Sequence, residues 1–167
     1  MRKKKFMTLW LAQLLCLPLL AQLHFETGIN LGASARIVGV GAFLEPRYAV
    51  NNESDLALHL GLNAYLGDDQ SRTQSRRITS GTIPVLLASY IRRFPKDNVK
   101  AIPYAGFGPG MYLTSGLNFR KGIKLGAGLR FGLFIGRSNL GFTYNFIQND
   151  SFFQISYGFR ILDRVLR

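Results

Sequence analysis

The sequence predicts an all-β chain, closed into an antiparallel up-and-down barrel of about eight strands that crosses a membrane. Three observations carry this. Apolar residues alternate with small or polar ones through most of the chain, so each strand has one aliphatic or aromatic face. The opposite face is glycine, serine and asparagine with isolated charges, not the Lys, Glu and Thr of a solvated sheet. Finally, no apolar run after residue 21 approaches the ~20 residues of a spanning helix, so any crossing must be made by strands.

The chain opens with the pattern of an export signal, expected to be residues 1–21. Arg2, Lys3, Lys4 and Lys5 form a basic start, Phe6 to Leu20 is apolar, and Ala21 offers a small residue for cleavage before Gln22. Leu19, at the −3 position, fits the small-x-small rule poorly, so the cut is set only to within a residue or two. Cys16 follows Leu14-Leu15 rather than small residues, which argues against lipoprotein processing. The only Cys and the only Trp lie in this segment, so residues 22–167, read as one barrel domain, can form no disulfide. Four of the 21 Lys and Arg are also there, leaving 17 against nine carboxylates, a balance of +8. For an exported basic chain, anionic lipid headgroups and lipopolysaccharide are the expected partners rather than nucleic acid.

The strands follow in order. Phe25 to Ile37 alternates, with Glu26, Gly28, Asn30, Gly32, Ser34 and Arg36 on the non-apolar face. A glycine link at Gly39 and Gly41 leads to Ala42–Val50, where Phe43, Glu45 and Arg47 oppose Leu44, Pro46 and Tyr48. The turn formers Asn51–Asp55 precede Leu56–Leu66, whose second face is Ala57, His59, Gly61, Asn63 and Tyr65. Gly67–Ser80 is polar and reads as the long surface loop. Ile83–Tyr90 is uniformly apolar, so its faces are undecided. Pro95–Asn98 turns into Ala101–Thr114, where the prolines argue for bulges or barrel ends. After a loop at Ser115–Lys121 comes the clearest strand, with Ile123, Leu125, Ala127, Leu129, Phe131, Leu133 and Ile135 set against Lys124, glycines and Arg130. Arg137–Asn139 turns into Leu140–Phe146, and Gln148–Ser151 into Phe153–Ile161, with Gln154, Ser156, Gly158 and Arg160 on its non-apolar face. Eight such strands put Asn51–Asp55, Pro95–Asn98 and Arg137–Asn139 on one rim and the long loop on the other.

Which face is inside decides between two barrels. A soluble lipocalin-like carrier would hold its apolar face inward and crowd its exterior with charge. Glycine is poor in strands unless space is short, and inside an eight-stranded barrel it is short. The inside-out membrane barrel is therefore preferred, with a lumen set of Glu26, Arg36, Glu45, Arg47, His59, Lys124, Arg130, Gln154 and Arg160. These charges are expected to pair as a structural network, because an isolated buried ion costs several kcal/mol.

With Ile83-Pro84-Val85-Leu86-Leu87, Pro103-Tyr104-Ala105-Gly106-Phe107-Gly108-Pro109-Gly110, Gly126-Ala127-Gly128-Leu129-Arg130-Phe131 and Ser156-Tyr157-Gly158-Phe159-Arg160, the chain resembles the small outer-membrane β-barrels of the porin-family and OmpA/OmpX type. The likeness covers about residues 24 to 162. It implies an outer-membrane location in a Gram-negative envelope, insertion by the outer-membrane assembly machinery and a monomeric barrel. One departure is the tail: family barrels usually end on an aromatic residue, whereas here Ile161 and residues 162–167 follow Phe159.

Enzymatic chemistry is weakly supported. Outer-membrane lipid A deacylases carry His-x-Ser, but the two histidines stand in His24-Phe25-Glu26 and His59-Leu60-Gly61. No cysteine or second histidine offers metal-ligand spacing, and the Gly-x-Gly runs do not open a helix as a phosphate loop must. The expectation is a non-enzymatic scaffold with no catalytic, metal or cofactor residues. Its long loop carries Arg72, Arg76 and Arg77, a candidate contact for lipopolysaccharide phosphates.

Overall fold

The computed structural model describes residues 23–34, 37–69, 77–97, 99–116, 122–147 and 150–162. They form eight strands: β1 (Leu23–Ala33), β2 (Ile37–Asn51), β3 (Ser54–Asp69), β4 (Arg77–Arg93), β5 (Ala101–Gly116), β6 (Gly122–Ile135), β7 (Ser138–Ile147) and β8 (Asp150–Leu162). Each pairs antiparallel with the next, and β8 pairs back onto β1, from Phe25↔Leu162 to Ala33↔Phe153. Closure leaves no sheet edge, so the backbone can satisfy its own polar groups where water is absent.

The two faces separate as the periodicity requires. On β6, every odd-numbered residue from Ile123 to Ile135 is exposed, with Leu125 at 72%, while Gly128, Arg130 and Phe134 are buried. On β8, Phe153, Ile155, Tyr157 and Phe159 face out, and Phe152, Gln154 and Ser156 face in. Apolar side chains thus cover the exterior, while the charged and amide side chains gather inside among packed apolar ones. That inverts a soluble protein and suits a hydrocarbon solvent.

β4 resolves what its uniform hydrophobicity left open. Ile83, Val85, Leu87, Ser89 and Ile91 point inward, and Ala88 and Tyr90 outward. The inward glycines explain how a narrow barrel holds such bulk. A Cβ on Gly128 would sit 2.7 Å from Leu87, and one on Gly132 would sit 2.6 Å from the Tyr104 ring. Gly128 leaves the space that Leu87 fills, and Gly132 admits the Tyr104 ring beside the Leu140 carbonyl.

Several boundaries differ from the sequence expectation. The first strand ends at Ala33 rather than Ile37, and Gly39 and Gly41 lie inside β2, not in a link. Gly39 is the register partner of Gly32, and both lie against the Tyr65 ring, so these glycines make room for an aromatic side chain. Ser34 N–H donates to Ile37 O at 2.8 Å, and the connection is residues 34–36. The expected Gly67–Ser80 loop shrinks to residues 70–76, because β3 and β4 stay paired as far as Asp69↔Arg77. A backbone ladder does not need apolar side chains, so hydrophobic alternation stops before the strands do. The Ser115–Lys121 loop likewise begins later, as β5 runs to Gly116. The turn placed at Arg137–Asn139 is Gly136-Arg137, with Gly136 at φ +60°, a conformation glycine adopts without strain. Ser138 and Asn139 already belong to β7, and residues 148–149 separate β7 from β8.

Prolines interrupt the ladders from outside. The β2–β3 register passes from Leu44↔Leu60 to Arg47↔Ala57, skipping Pro46. That of β4–β5 passes from Thr82↔Ser115 to Val85↔Tyr112, and from Leu87↔Gly110 to Tyr90↔Phe107, skipping Pro84 and Pro109. Proline has no N–H to donate, so each skip is where a ladder bond is missing.

Candidate functional site

The lumen is where the chemistry-bearing side chains converge. Glu26 on β1 and Glu45 on β2 are register partners, and like charges placed opposite each other repel. Arg47, two residues along β2 on the same face, lies between them, with Nη2 2.9 Å from Glu26 Oε2 and Nε 2.7 Å from Glu45 Oε1. From across the barrel, Arg130 Nη2 reaches Glu45 Oε2 at 2.8 Å, and His59 Nδ1 lies 2.8 Å from the same oxygen. Asn139 Nδ2 donates to Glu26 Oε1 at 2.7 Å. Glu45 and Arg47 are essentially inaccessible to solvent.

Aromatic rings frame this charge cluster. The Arg47 guanidinium lies 4.7 Å from the Phe134 ring centre, and that ring stacks on Tyr104 at 4.6 Å. Phe43 stacks on His59 at 4.9 Å. Cations over ring faces recover part of the solvation lost on burial. Toward the rim with the turn of residues 52–53, Arg93 Nη2 meets Asp55 Oδ1 at 3.0 Å.

A chain of neutral hydrogen bonds runs across the barrel beside the charge cluster. Tyr112 O–H donates to Asn145 Oδ1 (2.9 Å), Asn145 Nδ2 to Gln154 Oε1 (3.0 Å), and Gln154 Nε2 to Asn63 Oδ1 (2.9 Å). Asn63 Nδ2 ends the chain on the Ile83 carbonyl at 3.2 Å. Ile37, Tyr65, Ile83, Val85, Leu87, Tyr112, Ile147 and Phe152 pack with these amides as an apolar cluster.

The residues singled out from sequence therefore separate. Glu26, Glu45, Arg47, His59 and Arg130 come together in one cluster, while Gln154 belongs to the amide chain. Arg160 is half-buried against the Phe134 ring at 5.6 Å, and Lys124 is half-buried opposite Tyr112. Arg36, Arg72 and Arg76 lie outside the described residues, as does the whole of residues 1–22. Arg77 opens β4, opposite Asp69, rather than sitting in a loop. The sequence expectation puts Asn139 in a turn and gives Asn145 and Phe152 no role; parity marks Asn145 as inward within the expected strand, and marks Asn139 and Phe152 so once β7 starts at Ser138 and β8 at Asp150.

The two carboxylates are each closed by a guanidinium, so neither stands free as a general base. Among the described residues, no group of three or more His, Cys, Asp or Glu could hold a metal ion.

A solved structure shares this architecture. The chain superposes on Neisserial surface protein A with a TM-score of 0.62, covering 83% of this chain and 96% of that one at 16% identity. The fold is that of a small transmembrane β-barrel. The N-terminal β-barrel domain of Pseudomonas aeruginosa OprF also matches, at 14% identity and a TM-score of 0.47, over 81% of this chain and 97% of the other. No family model matches the sequence, and no curated relative matches it. The transmembrane barrel so defined has Tyr hydroxyls bonded near both rims: Tyr90 to Ser54 at 2.8 Å and Tyr157 to Ser138 at 3.1 Å on one side, Tyr144 to Ser151 at 2.9 Å on the other. Their rings face out, as interfacial aromatic girdles do.

Proposed function

We propose that this chain is an integral outer-membrane protein whose role is non-enzymatic: a rigid, lipid-embedded scaffold with a filled lumen that presents its connecting loops. The carrying observation is the inversion of the faces, with Leu125, Phe131, Ile155 and Phe159 outside and Glu26, Glu45, Arg47 and Arg130 inside. The basic and apolar start of the sequence supports export, and the eight-stranded closure supports insertion by strands. The closed pairing of Glu26 and Glu45, together with the missing His-x-Ser, speaks against a lipid A-modifying enzyme. An outward face of Leu, Ile and Phe speaks against a soluble carrier. The proposed partners are membrane lipid, lipopolysaccharide and the assembly machinery, and the barrel acts as a monomer.

The test is a detergent-extracted outer-membrane fraction run unboiled and boiled on a gel, where a folded barrel migrates differently in the two lanes. The same protein in planar bilayers is expected to show little or no steady conductance, since eight strands leave an interior only wide enough for side chains. Recovery of soluble periplasmic protein without detergent refutes the membrane reading. Large uniform channel steps refute the filled lumen.

A further inference from the structure

The exterior is not uniformly smooth. Across β2–β5, on the half nearer the turns of residues 52–53 and 94–100, lies an apolar groove of ≈ 600 Å³. Pro46 and Leu58 line one side, Phe107 and Tyr90 the other, and Ala88 and Pro109 keep it deep because they are small outward residues beside larger ones. It overlies the skipped stretch of the β4–β5 ladder, Ala88-Ser89 against Gly108-Pro109.

We propose that this groove seats one acyl chain of an anionic phospholipid whose phosphate meets Arg92. The proposal rests on the membrane reading above. Tyr90 and Arg92 are successive outward residues of β4, so the cation stands one step beyond the groove toward the rim. Arg92 is exposed, and its contact with Glu53 is a loose 3.8 Å between two side chains more than half exposed. Water already screens such a pair, so it is readily exchanged for a phosphate. The Tyr90–Ser54 hydrogen bond holds the ring at the level where headgroup meets chain. The adjoining turns carry Lys96 and Lys100 against Asp97 and Glu53, so Arg92 gives this stretch of the rim its excess of positive charge, which favours an anionic headgroup. The groove faces the rim opposite the long β3–β4 hairpin. That places its occupant among the phospholipids of the inner leaflet rather than among lipopolysaccharide chains on the cell surface.

The experiment is native mass spectrometry of the purified barrel from mixed micelles containing phosphatidylglycerol, phosphatidylethanolamine or lipopolysaccharide. The parent should retain one phospholipid, with phosphatidylglycerol preferred. Ala88→Phe, or the smaller Ala88→Leu, should lower retention of both phospholipids on the order of tenfold, since two or more methylenes lose their seat. Arg92→Ser should abolish the preference for phosphatidylglycerol, lowering its retention to that of phosphatidylethanolamine, whose own ammonium already offsets its phosphate and which therefore loses less. Ile155→Phe, on the far side of the barrel, should change nothing. Equal retention by parent and both Ala88 variants overturns the proposal, as does a preference that survives Arg92→Ser. Preferential lipopolysaccharide retention, or dimers that Ala88→Phe dissociates, overturns it in favour of another occupant. The gel shift between unboiled and boiled samples is read on every variant. If the parent itself lacks the shift, the membrane reading fails; a normal shift without lipid retention refutes the groove alone.

Discussion

Removing the Glu45 carboxylate is the most direct probe of the lumen. Glu45 is shared by three partners, with Arg47 at 2.7 Å and Arg130 and His59 both at 2.8 Å, and it is fully buried. In Glu45→Ala, Arg47 keeps Glu26 at 2.9 Å, but Arg130, only 3% exposed, loses its carboxylate. Breaking a buried pair by deleting one partner costs about 3–5 kcal/mol, because the remaining charge is left without solvent or counter-ion. Reversible urea unfolding in lipid vesicles, followed by far-UV circular dichroism and by the gel shift, measures this; the lone Trp10 falls in the expected signal, so tryptophan fluorescence is no probe of the barrel. Glu45→Met combined with Arg130→Met should recover most of the loss, since it removes both charges and leaves Glu26 matched to Arg47. A Glu45→Ala barrel within about 0.5 kcal/mol of the parent would refute the network, because that is the range of a surface change. A double variant no more stable than the single one would show that lost packing, not stranded charge, is the cause.

Leu129→Arg puts a cation on the outward face of β6 and should impede insertion, at a penalty of about 2–4 kcal/mol near the bilayer midplane; normal assembly and stability of that variant would contradict a lipid-facing stripe. Gly132→Ala should destabilise the barrel by about 1–3 kcal/mol through overpacking against both the Leu140 carbonyl oxygen and the Tyr104 ring, and shortening Tyr104 to Leu in the same chain should relieve only part of that loss. For the long hairpin, Arg72, Arg76 and Arg77 all changed to Ser should weaken lipopolysaccharide association of the folded barrel; unchanged binding would mean these cations are merely solvated. Protease added to intact cells should cut within residues 70–76, and cutting at residues 94–100 instead would invert the topology.

Alternation, with the turn formers that bound one uniformly apolar segment, determined the fold class, the number of strands and the orientation of most side chains. Its physical basis is that a strand exposes every second residue to one solvent, and the sequence between Ile123 and Ile135 leaves no ambiguity about which solvent that is. The same parity marked Glu26, Glu45, Arg47, His59 and Arg130 as inward residues. Parity carries no information about height along the barrel or about stagger between strands. Only the register set by closure brings Arg130 of β6 to Glu45 of β2 while leaving Lys124, on the same face of the same strand, half-buried elsewhere. Tertiary structure also decided the faces of β4, where hydrophobicity is uniform because its inward side chains fill space that glycines on β5 and β6 vacate. It moved Gly39 and Gly41 from an expected link into a strand, since glycines that admit the Tyr65 ring and the Asn63 amide look the same in sequence as ones that turn the chain. Pairings between distant segments are absent from any local pattern, and in a closed barrel those pairings fix the interior.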